Sequence, residues 1–300
     1  MIKTDRPTPK PYFSIVIPTL NEEKFLPRLL GDLKKQTFKD FEVIHIDGRS
    51  TDSTCQKAAE FHKKISISCF TVNKRNVSYQ RNTGGKKARG QWVIFMDADN
   101  RLKRTYLAQL QVRLETHPDT DVFTCLLDSS NASLVMKNLL DFCNLIMLTT
   151  AKVRPFAAGA LIGIRRKHLK ELKFNEAAKM SEDHQFVEEA VKKGLRYRVF
   201  SQPRYRFSLR RFEKEGSLKV IVDYVRGGVV LLAGPKFERF LPEYPMTGGT
   251  DYVAYAAERA NKGIYGLLPS MRDIINTTTK TQQQKMRMML SRIQSLMNDI

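Results

Sequence analysis

The stretch WVIFMDAD, residues 92–99, joins five apolar residues directly to two carboxylates, Asp97 and Asp99. A short apolar run rich in β-branched and aromatic residues is typical of a strand that is buried on both faces. Two carboxylates separated by one residue at the end of such a strand are able to face one cleft. Hard oxygen ligands of this kind suit Mg²⁺ or Mn²⁺ held together with substrate phosphates. A capping, solvated loop is the alternative interpretation.

Apolar strands alternate with helical segments on the N-terminal side of this stretch. Strands are predicted at 13–17, 41–47, 65–72 and 92–96. This β-α-β-α-β order implies an α/β fold with a mainly parallel, doubly wound sheet flanked by helices. Ligands of such sheets bind at the carboxyl ends of the strands, and polar clusters follow three of those ends, at 18–23, 47–54 and 97–99.

The helices of this half are predicted from their capping residues. Asn21 is expected to cap the first helix, with Glu22 and Glu23 at the favourable end of its dipole, and Thr51 or Asp52 the second. A glycine-containing loop, residues 84–90, is expected around a short third helix.

The second half of the chain is less regular. Strands are predicted at 161–164 and 196–200, and a helix is predicted at 181–193, ended by Gly194. Residues 218–233 and 271–300 have helical patterns, and the last is amphipathic. We expect this C-terminal helix to pack on the domain, while formation of a homo-oligomer or contact with a membrane surface stays open.

The chain is strongly basic, with 51 Lys and Arg against 31 Asp and Glu among its 300 residues, a formal net charge of +20. Such a charge favours phosphorylated substrates, an anionic membrane surface or nucleic acid as partners. No helix-turn-helix, zinc-finger or RNP-like pattern is present, so no nucleic-acid partner is expected. A solvated basic surface is the alternative interpretation.

The cysteines and the termini bear on the location of the protein. Its four cysteines form no CxxC pair, which favours reduced thiols in a cytoplasmic protein. The polar N-terminus lacks the apolar region of a signal peptide, and no run of about 18 apolar residues predicts a membrane span. We expect a cytoplasmic protein, with peripheral attachment at the inner face of the membrane as a further expectation.

Two more polar stretches carry candidate chemistry. Asp47 ends an apolar strand and is placed to accept a hydrogen bond from a nucleobase N–H, whereas the following Ser50, Thr51 and Asp52 are typical of a turn and a helix cap. Arg81 is suited to bidentate pairing with a diphosphate, and the glycines after it allow close backbone approach. A basic loop is the alternative. The glycine-rich motifs of dinucleotide and P-loop sites are absent.

Five motifs occur in order along the chain: PTLNEE (18–23), DGRSTDST (47–54), RNTG (81–84), DAD (97–99) and ED (182–183). Together they resemble glycosyltransferase family 2 over roughly residues 12–205. The resemblance implies a GT-A fold and a nucleoside-diphosphate sugar as donor, often a UDP-sugar. It also implies a metal-assisted single displacement that inverts the sugar and transfers it to an acceptor hydroxyl.

The resemblance implies roles for individual residues of the donor site. The residues expected to hold the nucleotide-sugar are Pro18, Thr19, Asn21, Glu22, Asp47, Arg81 near the nucleotide, and Asp97 at the ribose. Asp99 is expected to bind the divalent cation, Mg²⁺ or Mn²⁺. Arg49 stands where the family more often has a small polar residue, which bears on the choice of base.

The acceptor side rests on the Glu-Asp pair. Asp183 is implied as the base that deprotonates the acceptor, and Glu182 is counted among the substrate-binding residues. Both carboxylates also suit the first turn of a helix, which is the alternative for each. Arg211 follows the basic and aromatic stretch 204–207 and is expected to contact the leaving diphosphate, with a basic surface as the alternative.

The expected organisation is a flexible segment 1–11, a GT-A domain 12–210 with a nucleotide half (12–100) and an acceptor half (101–210), and a helical extension 211–300. Processive family members carry a Gln-x-x-Arg-Trp motif, but the one tryptophan here is Trp92, so a single-addition enzyme is expected. The acceptor is expected to be a glycan, lipid-linked or other hydroxyl compound of cell-envelope glycan synthesis. A nucleotidyltransferase and a nucleic-acid-binding protein are the competing functions.

Overall fold

The structure, a computed structural model, describes residues 10–130, 132–151, 155, 157, 161–178 and 182–208. Within these residues a seven-stranded sheet is flanked by helices on both faces. The elements in chain order are β1 (Phe13–Thr19), α1 (Leu26–Lys34), β2 (Phe41–Asp47), α2 (Thr54–Ala59), β3 (Ile67–Thr71), α3 (Val77–Lys87), β4 (Trp92–Met96), α4 (Tyr106–Thr116), β5 (Val122–Leu127), α5 (Leu134–Thr150), β6 (Leu161–Arg165), a 3-10 helix (Arg166–Lys170), α6 (Glu182–Lys192) and β7 (Tyr197–Tyr205).

The sheet is mainly parallel, as the sequence predicts. Its strand order is β3-β2-β1-β4-β6-β5-β7, and only β6 runs antiparallel to its neighbours, β4 and β5. Strands β1 and β2 end in register, with Thr19 opposite Asp47, and β4 runs parallel beside β1. The polar residues after these three strands therefore lie along one edge of the sheet.

Alternate residues of the strands supply two separate cores. Ile15 and Ile17 of β1 face α1, whose Leu29, Leu30 and Leu33 pack against them. On the opposite face, Val16 of β1 belongs with Ile44, Ile46 and Phe95 to a second core that includes Phe186 and Val187 of α6. The period-2 alternation of strand side chains assigns the two faces to different helices.

The predicted starts of the first two helices were wrong. α1 begins at Leu26 with Phe25 as its N-cap, and no acidic residue lies in its first turn. Asn21 instead adopts a left-handed backbone with φ 55°, and its side-chain oxygen accepts a hydrogen bond from the backbone N–H of Thr51. α2 begins at Thr54 after Ser53, while Asp52 accepts the backbone N–H of Thr54. The side chains of Asn21 and Thr51 are bonded to each other between the two loops, and Asp52 also accepts the backbone N–H of Glu23 from the first loop.

The glycines of the RNTGG stretch do not form a loop, which corrects a second prediction. Gly84 and Gly85 lie inside α3, which begins after Asn76, whose side chain accepts the backbone N–H of Tyr79. A Cβ atom on Gly84 would lie 2.2 Å from Cγ1 of Val16. Glycine is therefore required here for close packing of α3 on β1, not for approach of the backbone to a ligand.

The remaining elements agree with the sequence pattern where the structure describes them. β6 and α6 lie where they were predicted, and Gly194 follows α6 with φ 80°. β7 extends further than predicted, to Tyr205. The four cysteines are free. None of the helices within the described ranges has the length and apolar character needed to cross a bilayer. Arg211 and the predicted helices at 218–233 and 271–300 lie outside the described residues.

We predict that Gly84→Ala destabilises the protein by about 1–3 kcal/mol, because the added methyl group overpacks the contact with Val16. Gly31→Ala is the matched control. Gly31 lies in α1 with nothing within 4 Å of an added Cβ. It should stabilise the protein by about 0.5–1 kcal/mol through helix propensity. Urea denaturation of both variants measures the two effects, and equal changes in stability would contradict the assigned packing role of Gly84.

Candidate functional site

A buried arginine connects three elements at the carboxyl edge of the sheet. Arg81, on α3, is 2% exposed. Its Nη1 lies 2.9 Å from Oε1 of Glu182, at the start of α6, and its Nη2 lies 3.0 Å from Oδ1 of Asp97, directly after β4. The structure thus brings together residues that are 16 and 101 positions apart from Arg81. The charge of Asp183 also interacts electrostatically with the Arg81 guanidinium.

The segment before α6 holds this cluster in place. Asn82 donates from its side-chain nitrogen to the carbonyl of Phe174, and its side-chain oxygen accepts the N–H of Phe174, both at 2.9 Å. The ring of Phe174 stacks on Phe186 of α6, with centroids 4.0 Å apart, and the Arg81 guanidinium lies 5.2 Å from the same ring. α3 and α6 are therefore fixed relative to each other through Phe174.

Two carboxylates of this cluster, Asp97 and Asp183, have raised pKa values. Burial raises the pKa of Asp183, repulsion from Glu182 raises it further, and the opposing effect of Arg81 leaves it at about 7. Burial also raises the pKa of Asp97, which Arg81 opposes and Asp99 reinforces. A carboxylate with a pKa near 7 is suited to accept a proton at physiological pH. Burial lowers the pKa of Arg81, but the surrounding carboxylates more than offset this, so the guanidinium stays charged.

Asp47 lies at the end of β2 and is almost fully buried, with 1% exposure. Its Oδ1 accepts from the hydroxyls of Thr19 at 3.1 Å and Ser50 at 2.6 Å, and its Oδ2 accepts the backbone N–H of Ser50 at 2.9 Å. A carboxylate has about four lone-pair positions, and the thiol of Cys55 also hydrogen-bonds to Asp47, so donors within the chain can fill all of them. Ser50 has the turn role that the sequence predicts.

The loops after β1 and β2 are joined by backbone-to-side-chain hydrogen bonds. The backbone N–H of Asn21 donates to the Ser50 hydroxyl, and that of Glu22 donates to the Thr54 hydroxyl, each at 2.8 Å. Pro18 lies within β1, buried opposite Ile46. The residues expected to hold the nucleoside are thus collected at one edge, but the described contacts of Asn21 and of the Glu22 backbone are with the neighbouring loop.

Two buried polar residues of this edge were not singled out from the sequence. Gln80 of α3 donates from Nε2 to the carbonyls of Thr19 at 2.7 Å and Ile46 at 2.9 Å. It therefore holds the ends of β1 and β2 from the opposite face to α1. α3 has little amphipathic character, so its sequence period could not have marked Gln80 as buried. The position of Gln80 next to Arg81, a candidate site residue, was the signal that could have identified it.

His45 is the second such residue. Its Nε2 lies 2.8 Å from the hydroxyl oxygen of Thr19, which itself donates to Asp47. Nε2 must therefore carry the proton and donate, and Nδ1 has no hydrogen-bond partner within the described part of the chain. Burial lowers the pKa of His45 to about 4, against the opposing charge of Asp47. His45 is consequently neutral at physiological pH.

Asp99 is half-buried and lines a cavity of about 270 Å³ on the side of the sheet edge that faces α1. Across the described ranges, no group of three or more His, Cys, Asp and Glu side chains could hold a metal ion. Mg²⁺ and similar ions are usually bound by only one or two carboxylates when substrate phosphates complete the coordination. Asp99 and the neighbouring Asp97 therefore fit a cation that is held jointly with a phosphate-bearing substrate.

The chain is similar in sequence to known glycosyltransferases. The family model described as Glycosyl transferase family 2 matches residues 14–173, more than half of the chain. Poly(ribitol-phosphate) beta-N-acetylglucosaminyltransferase TarS of Staphylococcus aureus is 26% identical over 66% of this chain and 36% of its own. A PGL/p-HBAD biosynthesis glycosyltransferase of Mycobacterium tuberculosis is 34% identical over 37% of this chain and 45% of its own. The chain thus spans less than half the length of these curated relatives.

Solved structures of similar fold include S. aureus TarS and a mannosyltransferase. TarS aligns with a TM-score of 0.55 and 24% identity over 74% of this chain and 42% of that chain. PcManGT from Pyrobaculum calidifontis, in complex with GDP-Man and Mn²⁺, aligns with a TM-score of 0.63 and 19% identity over 95% and 81%. At these identities the likeness shows the fold, and the predicted GT-A fold class is confirmed.

We predict that Arg81→Met destabilises the protein by about 3 kcal/mol. Removing one partner of a buried ion pair leaves an uncompensated charge, which typically costs about 3–5 kcal/mol, and the 38% exposure of the Asp97 side chain favours the lower end. Arg113→Met, at an exposed position on α4, should change stability by less than about 0.5 kcal/mol. Urea denaturation measures both, and an Arg81→Met variant as stable as the control would contradict the structural role of the cluster.

Proposed function

Because the chain belongs to glycosyl transferase family 2, we propose that it transfers a sugar from a nucleoside-diphosphate sugar to an acceptor hydroxyl, with inversion at the anomeric carbon. One observation carries the proposal. Arg81 gathers Asp97, Glu182 and Asp183 at the same edge of the sheet where the loops after β1 and β2 enclose Asp47. A donor site and a proton acceptor would then lie side by side.

The donor we propose is a UDP-sugar. The Asp47 carboxylate would accept a hydrogen bond from the N–H of a pyrimidine base in exchange for one of its present donors, and the neutral His45 brings no competing cation. The relative TarS is named as an N-acetylglucosaminyltransferase and has been solved in complex with UDP-GlcNAc. PcManGT was solved with GDP-Man, so a GDP-sugar is the alternative donor against which a UDP-sugar should be compared.

Asp99, with Asp97 beside it, would hold a Mg²⁺ or Mn²⁺ ion together with the donor diphosphate. Such an ion supplies charge neutralisation for the leaving nucleoside diphosphate. Arg81 contributes by fixing the position of Asp97, because its Nη2 binds one oxygen of that carboxylate at 3.0 Å. The ion in the PcManGT complex, Mn²⁺, supports the choice of a divalent cation.

Asp183 is proposed as the general base. The acceptor hydroxyl would give its proton to the Asp183 carboxylate while its oxygen bonds to the anomeric carbon, and the bond from that carbon to the donor phosphate oxygen would break. Glu182 is bound to Arg81, which leaves the proton-accepting role to its neighbour. The raised pKa of Asp183, about 7, matches the pH range in which such a base is most effective.

The acceptor side is proposed to come from the second half of the domain, residues 101–210, with a hydroxyl of a glycan or lipid-linked compound as the acceptor. The relative TarS is named for poly(ribitol-phosphate), and the mycobacterial relative for PGL/p-HBAD biosynthesis. These names guide the choice of acceptors for assay. We also propose that Arg211 approaches the leaving diphosphate, a role that can be tested by mutation in the full chain.

The donor is tested by thermal unfolding of the full chain with UDP-GlcNAc, UDP, GDP-Man and ATP, each with and without Mn²⁺. A ligand that binds only the native state raises its stability by mass action. We expect stabilisation by UDP-GlcNAc and UDP that is larger with Mn²⁺ and returns to the metal-free level when EDTA is added. Stabilisation by ATP alone would instead favour a nucleotidyltransferase.

We predict that Asp183→Asn lowers the rate of sugar transfer by about 10²–10⁴-fold, because the acceptor hydroxyl then loses its proton acceptor. The affinity for the donor nucleotide should stay unchanged. Glu189→Gln is the matched control, since Glu189 is an exposed carboxylate on the same helix and pairs only with Lys193 among the described residues. Radiolabelled transfer and calorimetry measure the two properties, and near-normal transfer by Asp183→Asn would refute the assigned base.

The raised pKa of Asp183 also predicts a pH-dependent effect on stability. The folded state holds the proton more tightly than the unfolded state, whose carboxyl has the ordinary pKa of 3.8. The stability associated with the protonated carboxyl is present below about pH 4 and is lost as pH rises through about 7. Asp183→Asn should therefore raise the Tm at pH 8 and have little effect at pH 4. A lower Tm at pH 8 would identify Asp183 as a stabilising first-turn residue of α6 instead.

A further inference from the structure

The cavity beside Asp99 has features that the proposed roles of Asp99 and Asp183 do not explain. Side chains from four separate segments line it, including Phe25 and Arg28 from the start of α1 and Arg206 and Phe207 from the residues after β7. Phe25 and Arg28 belong to none of the motifs that the sequence analysis assigned to the donor or to the base. Arg206 and Phe207 end the basic and aromatic stretch 204–207 and were themselves given no role. Asp99 therefore shares its cavity with side chains whose function is not yet assigned.

The charged residues of this cavity divide into paired and available groups. Arg101 is bound to both carboxylate oxygens of Asp32, at 2.6 and 2.9 Å, and Asp128 is paired with Lys103 at 3.0 Å. Arg28 and Arg206 are exposed, and neither forms an ion pair with any residue that the structure describes. Two guanidinium groups are thus available to a ligand in the same cavity.

The backbone and the paired residues hold these two arginines in a fixed relation. Arg28 and Asp32 are four residues apart on α1 and so share one helix face. Asp32 binds Arg101, and the backbone of Arg101 forms a reciprocal pair of hydrogen bonds with the backbone of Arg206, both at 3.0 Å. The Arg28 guanidinium also lies 5.7 Å from the ring of Phe25. Contacts within the chain therefore hold the backbone at Arg28 and Arg206 in a fixed relation on one side of the cavity.

We propose that Arg28 and Arg206 together bind a phosphate group of a substrate, beside Asp99. Guanidinium groups recognise phosphate through paired, charge-assisted hydrogen bonds, and both of these arginines line the cavity that Asp99 lines. That the phosphate belongs to a substrate rests on the proposed function. The same chemistry is offered by the diphosphate of the donor and by a phosphorylated acceptor, and the experiment separates these sources.

The test uses the full chain with Arg28→Gln, Arg206→Gln and the control Arg113→Gln, which removes an exposed charge on α4 outside the cavity. Calorimetry at low salt measures the affinity for UDP in the presence of Mg²⁺, and for glycerol 3-phosphate as a small phosphorylated polyol. Each cavity variant should weaken binding about tenfold, the effect of one hydrogen bond to a charged group. The control should match the wild type.

The outcomes assign the source of the phosphate. A tenfold loss for UDP assigns the two arginines to the donor diphosphate, whereas a loss for glycerol 3-phosphate alone assigns them to a phosphorylated acceptor. Unchanged affinity for both probes in both variants overturns the proposal, as does a wild type that binds neither probe. A wild type that binds glycerol 3-phosphate through these arginines, yet binds no nucleotide and transfers no sugar, would support the proposal and contradict the proposed function.

Discussion

The buried guanidinium of Arg81 is the constraint on which the site depends. A charge removed from water is tolerated only when it is paired and hydrogen-bonded, and Arg81 meets that requirement with Asp97 and Glu182. Asp97 directly follows β4 and Glu182 begins α6, so the ion pairs fix the start of α6 against the end of β4. The position of Asp183, next to Glu182, follows from the same arrangement. Packing alone, through Phe174 and Phe186, would not select which carboxylate meets the arginine.

α3 serves both parts of the site. Gly84 allows the helix to approach β1 closely enough for Gln80 to reach the carbonyls at the ends of β1 and β2. The next residue along the helix, Arg81, reaches β4 and α6 instead. The loop around Asp47 and the carboxylate cluster are therefore both held in place by α3. This arrangement is needed if a donor bound near Asp47 must meet a base in the carboxylate cluster.

The sequence predicted the features that depend on local pattern. The apolar runs that end in polar residues located the strands β1, β2 and β4, and five ordered motifs located the residues that the fold gathers at one edge. The failures involve partners that are distant in the chain. Asn21 is not a cap, because its side chain binds Thr51 thirty residues away. Gly84 lies within a helix, where Val16 leaves no room for a Cβ atom, so its glycine reflects packing and not a loop. The contacts of His45 and Gln80, and the cavity between Arg28 and Arg206, depend on tertiary packing that no local period encodes.

Asp183, whose pKa is raised by its buried, like-charged surroundings, is proposed to accept the proton of the acceptor hydroxyl. The most direct test is the pH dependence of kcat/KM for sugar transfer by the wild-type chain, at saturating divalent cation. Since Asp183 must be deprotonated to act as a base, kcat/KM should rise with pH and reach half its maximum near the pKa of about 7. A kcat/KM that stays constant down to pH 5, with the protein still folded, would contradict this role of Asp183.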